Sequence, residues 1–395
     1  MGRNTEVVVI GGGYAGVMAA NRLTQRHDVT VALINPRPTF VHRIRLHQLA
    51  AGSGDAVVDY RAVLAGGVEL VVDTATRIEV AERAVVLASG DSAGYDHLIY
   101  AVGSGSAGPG VPGEAEFAYP IATLEEVQRL RPVLDAAPAT AAVTVVGAGM
   151  LGIEVAAELA EAGRTVTLVC GGVLGPYLHP RVRRSVAKRL AGLGVRVLDG
   201  PDAKVTAVAR DAVRLAGGRE LPSAVTIWTA GFGVPDLAAR SGLSTDAAGR
   251  LLTDETLTSV DDERIVAAGD SAAPSGLPLR MSCQAANPLG AHAADTVLAR
   301  IAGDRPASVE VGFFGLCVSL GQRVATVQLA AKDDTANRFF LGGRLGGKVK
   351  ESSYTGLLEH LAHEARTPGR YSWKFKDAKR SQRLKTQRGE TLTPR

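Results

Sequence analysis

Gly11, Gly13 and Gly16 in VVVIGGGYAGVMAANRL, and Gly147, Gly149 and Gly152 in VTVVGAGMLGIEVAAEL, are the residues whose type and spacing most directly imply chemistry. Each triplet follows a Val-rich run and opens an Ala-rich one. That is the strand-to-helix context in which G-x-G-x-x-G signifies dinucleotide binding. The first glycine permits a tight turn, the second lets a pyrophosphate approach the backbone, and the third lets helix and strand pack closely. The helix N-terminus then offers free N–H groups and partial positive charge to the phosphates. With the intervening Tyr14, Ala15, Met150 and Leu151, the glycines form two candidate phosphate cradles. Two such cradles in one chain imply two dinucleotide sites facing each other, the arrangement for moving a hydride between two redox cofactors.

The elements that must position these loops recur in the same order in both halves. The first half reads as a strand at 6–10, a helix at 14–26 and a strand at 29–34. A hairpin at 77–80 and 84–88 follows, then a buried strand in YDHLIYAVG at 95–103, with Ala101, Val102 and Gly103 at its end. Residues 103–114, rich in Gly, Pro and Ser, read as a linker. The second half repeats the order: strand 143–146, helix 153–162, strand 165–169, a hairpin at 204–215, and strand 224–231 ending at Gly231. This pattern suggests a divergent internal duplication. Beyond residue 240, an apolar strand at 266–269 delivers Asp270 just after Gly269. A carboxylate at the carboxyl end of a buried strand sits in the crevice where α/β sheets bind ligands. A helix at 284–302, strands within 311–329, a helix at 354–365 and a surface strand at 371–376 complete the expected elements.

Composition narrows the alternatives. A chain of 395 residues has room for two or three domains. Its 46% apolar and 21% charged content excludes disorder of the whole. No apolar run reaches the roughly 20 residues needed to span a bilayer. The chain enters its first strand almost at once, without a signal peptide, so a cytoplasmic location is expected, extending at most to the inner face of the membrane. Cys170, Cys283 and Cys317 form no C-x-x-C pair, which argues against a local redox disulfide and against a zinc site, so no metal is expected. The net charge is +4, and much of the excess lies near the end, in Lys374, Lys376, Lys379, Arg380, Arg383, Lys385 and Arg388. Residues 377–395 read as a solvated, disordered basic tail. No basic helix with interleaved aromatics points to nucleic acid.

Over residues 5–330 the combined motifs resemble the two-dinucleotide-binding-domain flavoproteins of the pyridine nucleotide–disulfide reductase fold. Within them, the chain is most similar to type II NADH dehydrogenases and apoptosis-inducing-factor-like oxidoreductases. The motifs are the two glycine loops, YDHLIYAVG, GVPGE, WTAG and IVAAGDSA. The resemblance implies an α/β fold with two Rossmann-like domains and a C-terminal α+β region. FAD would lie on the first loop and NADH or NADPH on the second. Asp270 would bond the ribityl–pyrophosphate region of FAD. The implied divisions are an FAD domain at 1–112 and 241–310, an NAD(P) domain at 113–240, and a C-terminal region at 311–376. The last is used in the family for dimerisation, membrane contact or acceptor binding, so a homodimer and peripheral membrane contact are the partner expectations.

The chain departs from the family pattern at several positions. The acid expected about 20 residues after the first loop is replaced by Asn35, which can accept one ribose hydroxyl bond and donate another. The second acid position falls on Cys170, Gly171 and Gly172. Its loss removes discrimination against NADPH, which becomes the favoured donor, and Arg181, Arg183 and Arg184 lie downstream. Residues 39–49, where disulfide reductases and thiol peroxidases of this fold carry a redox cysteine, have none. They hold His42, Arg43, Arg45 and His47, with Arg43 counted among the cofactor contacts. No lysine precedes Lys188, so the lysine that relatives place near flavin N5 has no counterpart in this part of the chain. Arg45 and His47 are the substitute candidates, since a cation there stabilises negative charge on reduced flavin. Glu154, the fifth residue after Gly149, matches a family Glu near the nicotinamide–flavin junction. The quinone-site motif A-Q-x-A-x-Q is half kept in CQAANP at 283–288: Gln284 and Ala286 match, while Cys283 and Pro288 do not.

The expected function is hydride transfer from NAD(P)H to FAD and onward to a quinone or other small acceptor, with no redox disulfide. One rival is a biosynthetic flavoenzyme that oxidises an organic substrate with dioxygen and keeps a degenerate NAD(P) site. The other is a flavin-bound sensor or binding protein.

Overall fold

Two five-stranded parallel sheets organise the chain in the computed structural model, which describes residues 3–108, 110–387 and 389. The first sheet has the order Ile265–Ala267, His97–Tyr100, Thr5–Ile10, Val29–Asn35, Val68–Val72. The second has Ala118–Pro120, Val225–Trp228, Ala142–Val146, Thr165–Val169, Arg196–Leu198. In each, the strand that feeds a glycine loop lies centrally, flanked by the next strand on one side and a late strand on the other. Val7, Val8 and Val9 are at most 2% exposed, as residues of a strand covered on both faces must be. Residues 265–267 return to the first sheet after the whole second sheet has been built, so the first unit is discontinuous.

The glycine loops are near-copies in backbone shape. Gly11 and Gly147 both have φ +104°, which L side chains rarely adopt. A Cβ on Gly16 would sit 1.8 Å from the Gly11 carbonyl oxygen, and one on Gly152 would sit 1.8 Å from that of Gly147. Each helix, Tyr14–Leu23 and Met150–Glu161, therefore lies close enough to its strand to aim its first turn at a ligand. The 103–114 linker is more ordered than its composition suggests. Gly105–Ser106 pairs antiparallel with Phe232–Gly233, and Glu114–Phe117 is helical; Pro109 lies outside the described residues.

The C-terminal region differs most from its expected form. Gly315–Ser319, Ala325–Ala330 and Ala336–Leu341 make an antiparallel sheet. The helix that covers it runs Gly343–Arg366, far longer than 354–365. Its first turns hold Gly346 and Gly347, poor helix formers. Packing overrides that preference: a Cβ at Gly346 would come within 2.3 Å of the Ala325 carbonyl oxygen, and one at Gly347 within 2.3 Å of that of Arg323. Only glycine lets the helix settle so closely on the strand. The expected strand at 371–376 reduces to one antiparallel bridge, Val311 with Lys376.

Where a disordered tail was expected from residue 377, Arg380–Gln387 forms a helix. Arg380 is 4% exposed and gives two hydrogen bonds to the Glu255 carboxylate, at 2.8 and 3.0 Å, and others to the carbonyls of Pro274 and Leu277. The positive charge attributed to a solvated tail is thus partly a buried latch. Arg388 and residues 390–395 lie outside the described residues. Among the described residues, no helix is long and apolar enough to cross a membrane.

Candidate active site

Both glycine loops open onto one cleft of about 1910 Å³. Gly13 and Gly149 cap the two helices without any side-chain hydrogen bond to the first turn. A Cβ at either would meet nothing within 4 Å, so open space lies in front of both uncapped helix ends. That is the geometry an anionic pyrophosphate requires. Gly11, Tyr14, Ala15, Gly147, Met150 and Leu151 line the same cleft, while Gly16 and Gly152 serve the helix–strand contact behind it. Ala101, Val102, Gly103, Gly231 and Gly269 also border it.

Asn35 borders the cleft, but its amide holds the loop: Oδ1 accepts from the Gly12 N–H at 3.0 Å and Nδ2 donates to the Arg37 carbonyl at 2.8 Å. Tyr60 completes the brace by donating to the Gly12 carbonyl at 2.8 Å. Sequence reading did not single out Tyr60. Asp270 faces the cleft, accepting from the Ser104 hydroxyl at 2.7 Å and the Ser282 N–H at 3.0 Å, with the Arg43 guanidinium 3.9 Å away. Open helix ends beside a strand-end carboxylate and a cation fit a flavin dinucleotide, whose diphosphate and polyol need such partners.

One of the cations bordering the cleft comes from a distant part of the chain. Lys350, on the C-terminal helix, donates from Nζ to Glu154 Oε1 at 2.5 Å and to the Cys317 carbonyl at 3.1 Å. Both residues border the cleft. The Ser319 N–H gives Glu154 a second bond at 3.0 Å. Burial works against both charges, but their mutual attraction prevails, holding the Glu154 carboxyl below and the Lys350 ammonium above its ordinary pKa. Gly346, Lys350 and Tyr354 repeat every four residues and are all buried, a stripe that marks the packed face of the helix.

Arg45 and His47 take other positions. Arg45 pairs with Glu351, bonds Gln48 at 2.8 Å and lies 4.6 Å over the Tyr354 ring, outside the cleft lining. His47 is 1% exposed, with Nδ1 3.9 Å from Glu154 Oε2. Burial pushes its pKa down to about 4, so it stands behind Glu154 as a neutral ring. Gln284 borders the cleft with its Oε1 unpartnered. Cys283 and Cys317 border it too, and burial raises both thiol pKa values, to about 11 for Cys283. Cys170 lies outside the cleft lining, its thiol pushed up to about 12 by burial and then by Asp199. Arg183 is engaged with the Leu178 carbonyl at 3.1 Å, and Arg181 and Arg184 are exposed. The cation whose backbone lies nearest Gly171 is Lys204, its Cα 3.7 Å from where a Cβ of Gly171 would project.

Comparisons with known proteins agree with this geometry. Residues 5–294 match the pyridine nucleotide-disulphide oxidoreductase family. An NADH dehydrogenase-like protein of Mycobacterium tuberculosis is 32% identical over 327 residues, covering 74% of this chain and 80% of that protein. The type II NADH:quinone oxidoreductase of the same organism is 29% identical over 353 residues, covering 78% and 75%. Among solved structures, a sulfide:quinone oxidoreductase from Aquifex aeolicus superposes with TM-score 0.77 at 19% identity, covering 92% and 93% of the two chains. NDH2 from Plasmodium falciparum in complex with NADH gives 0.76 at 16% identity, covering 92% and 96%; both likenesses concern the fold. Two glycine cradles facing one cleft, the match over both of them, and these relatives place the chain in the pyridine nucleotide-disulphide oxidoreductase family, as an NADH dehydrogenase-like oxidoreductase that uses a flavin and a nicotinamide nucleotide.

Proposed function

We propose that the protein transfers a hydride from NADPH or NADH to FAD and passes the electrons to a quinone-class acceptor, without a redox-active disulfide. The observation that carries this reading is the single cleft joining both glycine cradles to the Glu154–Lys350 pair and to Gln284. FAD supplies the chemistry, accepting a hydride and releasing electrons to the acceptor. The protein contributes binding, orientation and electrostatics. The open turn at Gly149 would hold the donor's pyrophosphate, and the open turn at Gly13 would hold that of FAD. Lys350, at the edge of the cleft, would supply positive charge to stabilise a reduced flavin bound there. Glu154 neutralises that charge in the resting protein and is placed to take or give a proton at Oε2, the oxygen Lys350 does not bond. Cys283 and Cys317, with raised thiol pKa values, are poor thiolate nucleophiles at neutral pH, which supports chemistry without a disulfide.

Steady-state turnover of the flavin-loaded protein with a water-soluble quinone tests the reading. NAD(P)H oxidation dependent on the quinone is the expected result. Oxidation with peroxide formation and no quinone dependence would point to dioxygen as the acceptor and contradict it.

A further inference from the structure

Helix Met150–Glu161 carries carboxylates at positions 154, 158 and 161. That spacing aligns them along one helix face. Glu154 borders the cleft, paired with Lys350. Glu161 lies at the other end with its side chain 29% exposed, 3.3 Å from Arg189 and accepting from the Gln322 N–H at 2.6 Å. Glu158, between them, is 1% exposed. One of its oxygens accepts the Ser53 hydroxyl and the other, Oε2, has no partner among the described residues. Opposite this face is the short helix Leu46–Ala51, where both ring nitrogens of His47 also lack partners. A line of polar atoms thus runs through the contact between the two helices, inside the apolar cluster that includes Leu46, Ala50 and Ala157.

Apolar side chains would fill that interface at lower cost, because burying an unpartnered polar atom is unfavourable. Unpartnered atoms in such a line are the places where ordered water sits. Among the described residues, no cation pairs with Glu158. Burial raises its pKa against the opposing Ser53 hydrogen bond, and the neighbouring Glu161 and Glu154 add to the rise. The buried group between the two ends of this face is therefore a carboxyl able to hold a proton, one helical turn from the Glu154 carboxylate.

Reduction of a quinone by NAD(P)H consumes a solvent proton. The donor's C–H bond breaks, its two electrons reduce the ring, and two O–H bonds form. One of the two hydrogens balances the donor's, and the other comes from water. We propose that Glu158 is a proton relay linking solvent at Glu161 to the Glu154–Lys350 pair, through which this second proton reaches the acceptor. The Glu158 O–H bond breaks as the proton moves toward Glu154, and a proton arriving past Glu161 restores it. The proposal rests on the quinone reading of the cleft.

Stopped-flow measurements on the flavin-loaded protein separate the two half-reactions. In Glu158→Gln, reduction by NAD(P)H should stay within about twofold of wild type. Reoxidation by a soluble quinone should slow at least about tenfold, with a larger solvent deuterium effect. Glu158→Ala should show the same slow step and recover with added formate, which a merely structural role would not allow. A protonated-carboxyl band should be present in the infrared spectrum of the wild type and absent from Glu158→Gln. Wild-type reoxidation rate and isotope effect in Glu158→Gln would overturn the relay and leave the quinone reading standing. A wild-type protein that quinone does not reoxidise would overturn both.

Discussion

Lys350 and Glu154 are buried together, so each depends on the other. Removing one charge strands its partner, at a cost of about 3–5 kcal/mol for a buried pair. Lys350→Met should therefore lower thermal stability substantially and slow turnover. Lys350→Met combined with Glu154→Gln should recover most of the stability but none of the turnover, a pattern read by a melting curve and an assay on the same samples. The buried histidines set a pH dependence. Burial lowers the pKa of both His42 and His47 from 6.5 to about 4. The unfolded chain thus binds more protons than the folded one between those values. Stability is full above pH 6.5 and falls with acidification toward pH 4, by about 1.4 kcal/mol per pH unit for each histidine. Denaturant melts of the protein across that window check this, and His47→Gln should shallow the slope. A flat profile would mean that neither ring is held neutral.

At the scale of elements, the helix Gly343–Arg366 delivers Lys350, and its seat is the contact of Gly346 with the Ala325 carbonyl. Gly346→Val would lift that end of the helix off the sheet. The expected cost is about 1–3 kcal/mol, with a fall in kcat as Lys350 moves away from Glu154. Unchanged stability and kcat would show that the helix tolerates the displacement. This element also shows what could be read from sequence and what could not. The glycine loops and Asp270 were legible because each is a local strand–loop–helix pattern whose residue types the backbone dictates. Lys350 was not, because it meets Glu154 across 196 positions of sequence and its helix begins without an apolar period. Arg45 and His47, close in sequence to the flavin-side loops, were the natural substitutes. Yet the Arg45 guanidinium is taken up by Glu351 and the Tyr354 ring, outside the cleft lining, and burial disfavours the protonated form of the His47 imidazole. The tail from 377 misled for a related reason. Its composition is that of a solvated segment, but Arg380 finds Glu255 and two carbonyls only once the chain has folded.

For the whole molecule, the two parallel sheets hold their glycine loops against one cleft, the arrangement on which the proposed hydride transfer rests. The donor end lacks an acid at Cys170–Gly172, and Lys204 lies beside Gly171. Lys204→Ala should lower kcat/KM for NADPH by about tenfold, a charge-assisted contact to the 2′-phosphate, with little change for NADH. Equal losses with both donors would place Lys204 outside the phosphate contact. The most direct test of the account mixes the flavin-loaded protein anaerobically with NADH and, separately, with NADPH, and follows the flavin absorbance. Fast bleaching by at least one donor is the expected result and would establish the Gly147–Gly152 loop as a working hydride-donor site. A bound flavin that neither nucleotide bleaches would contradict the account.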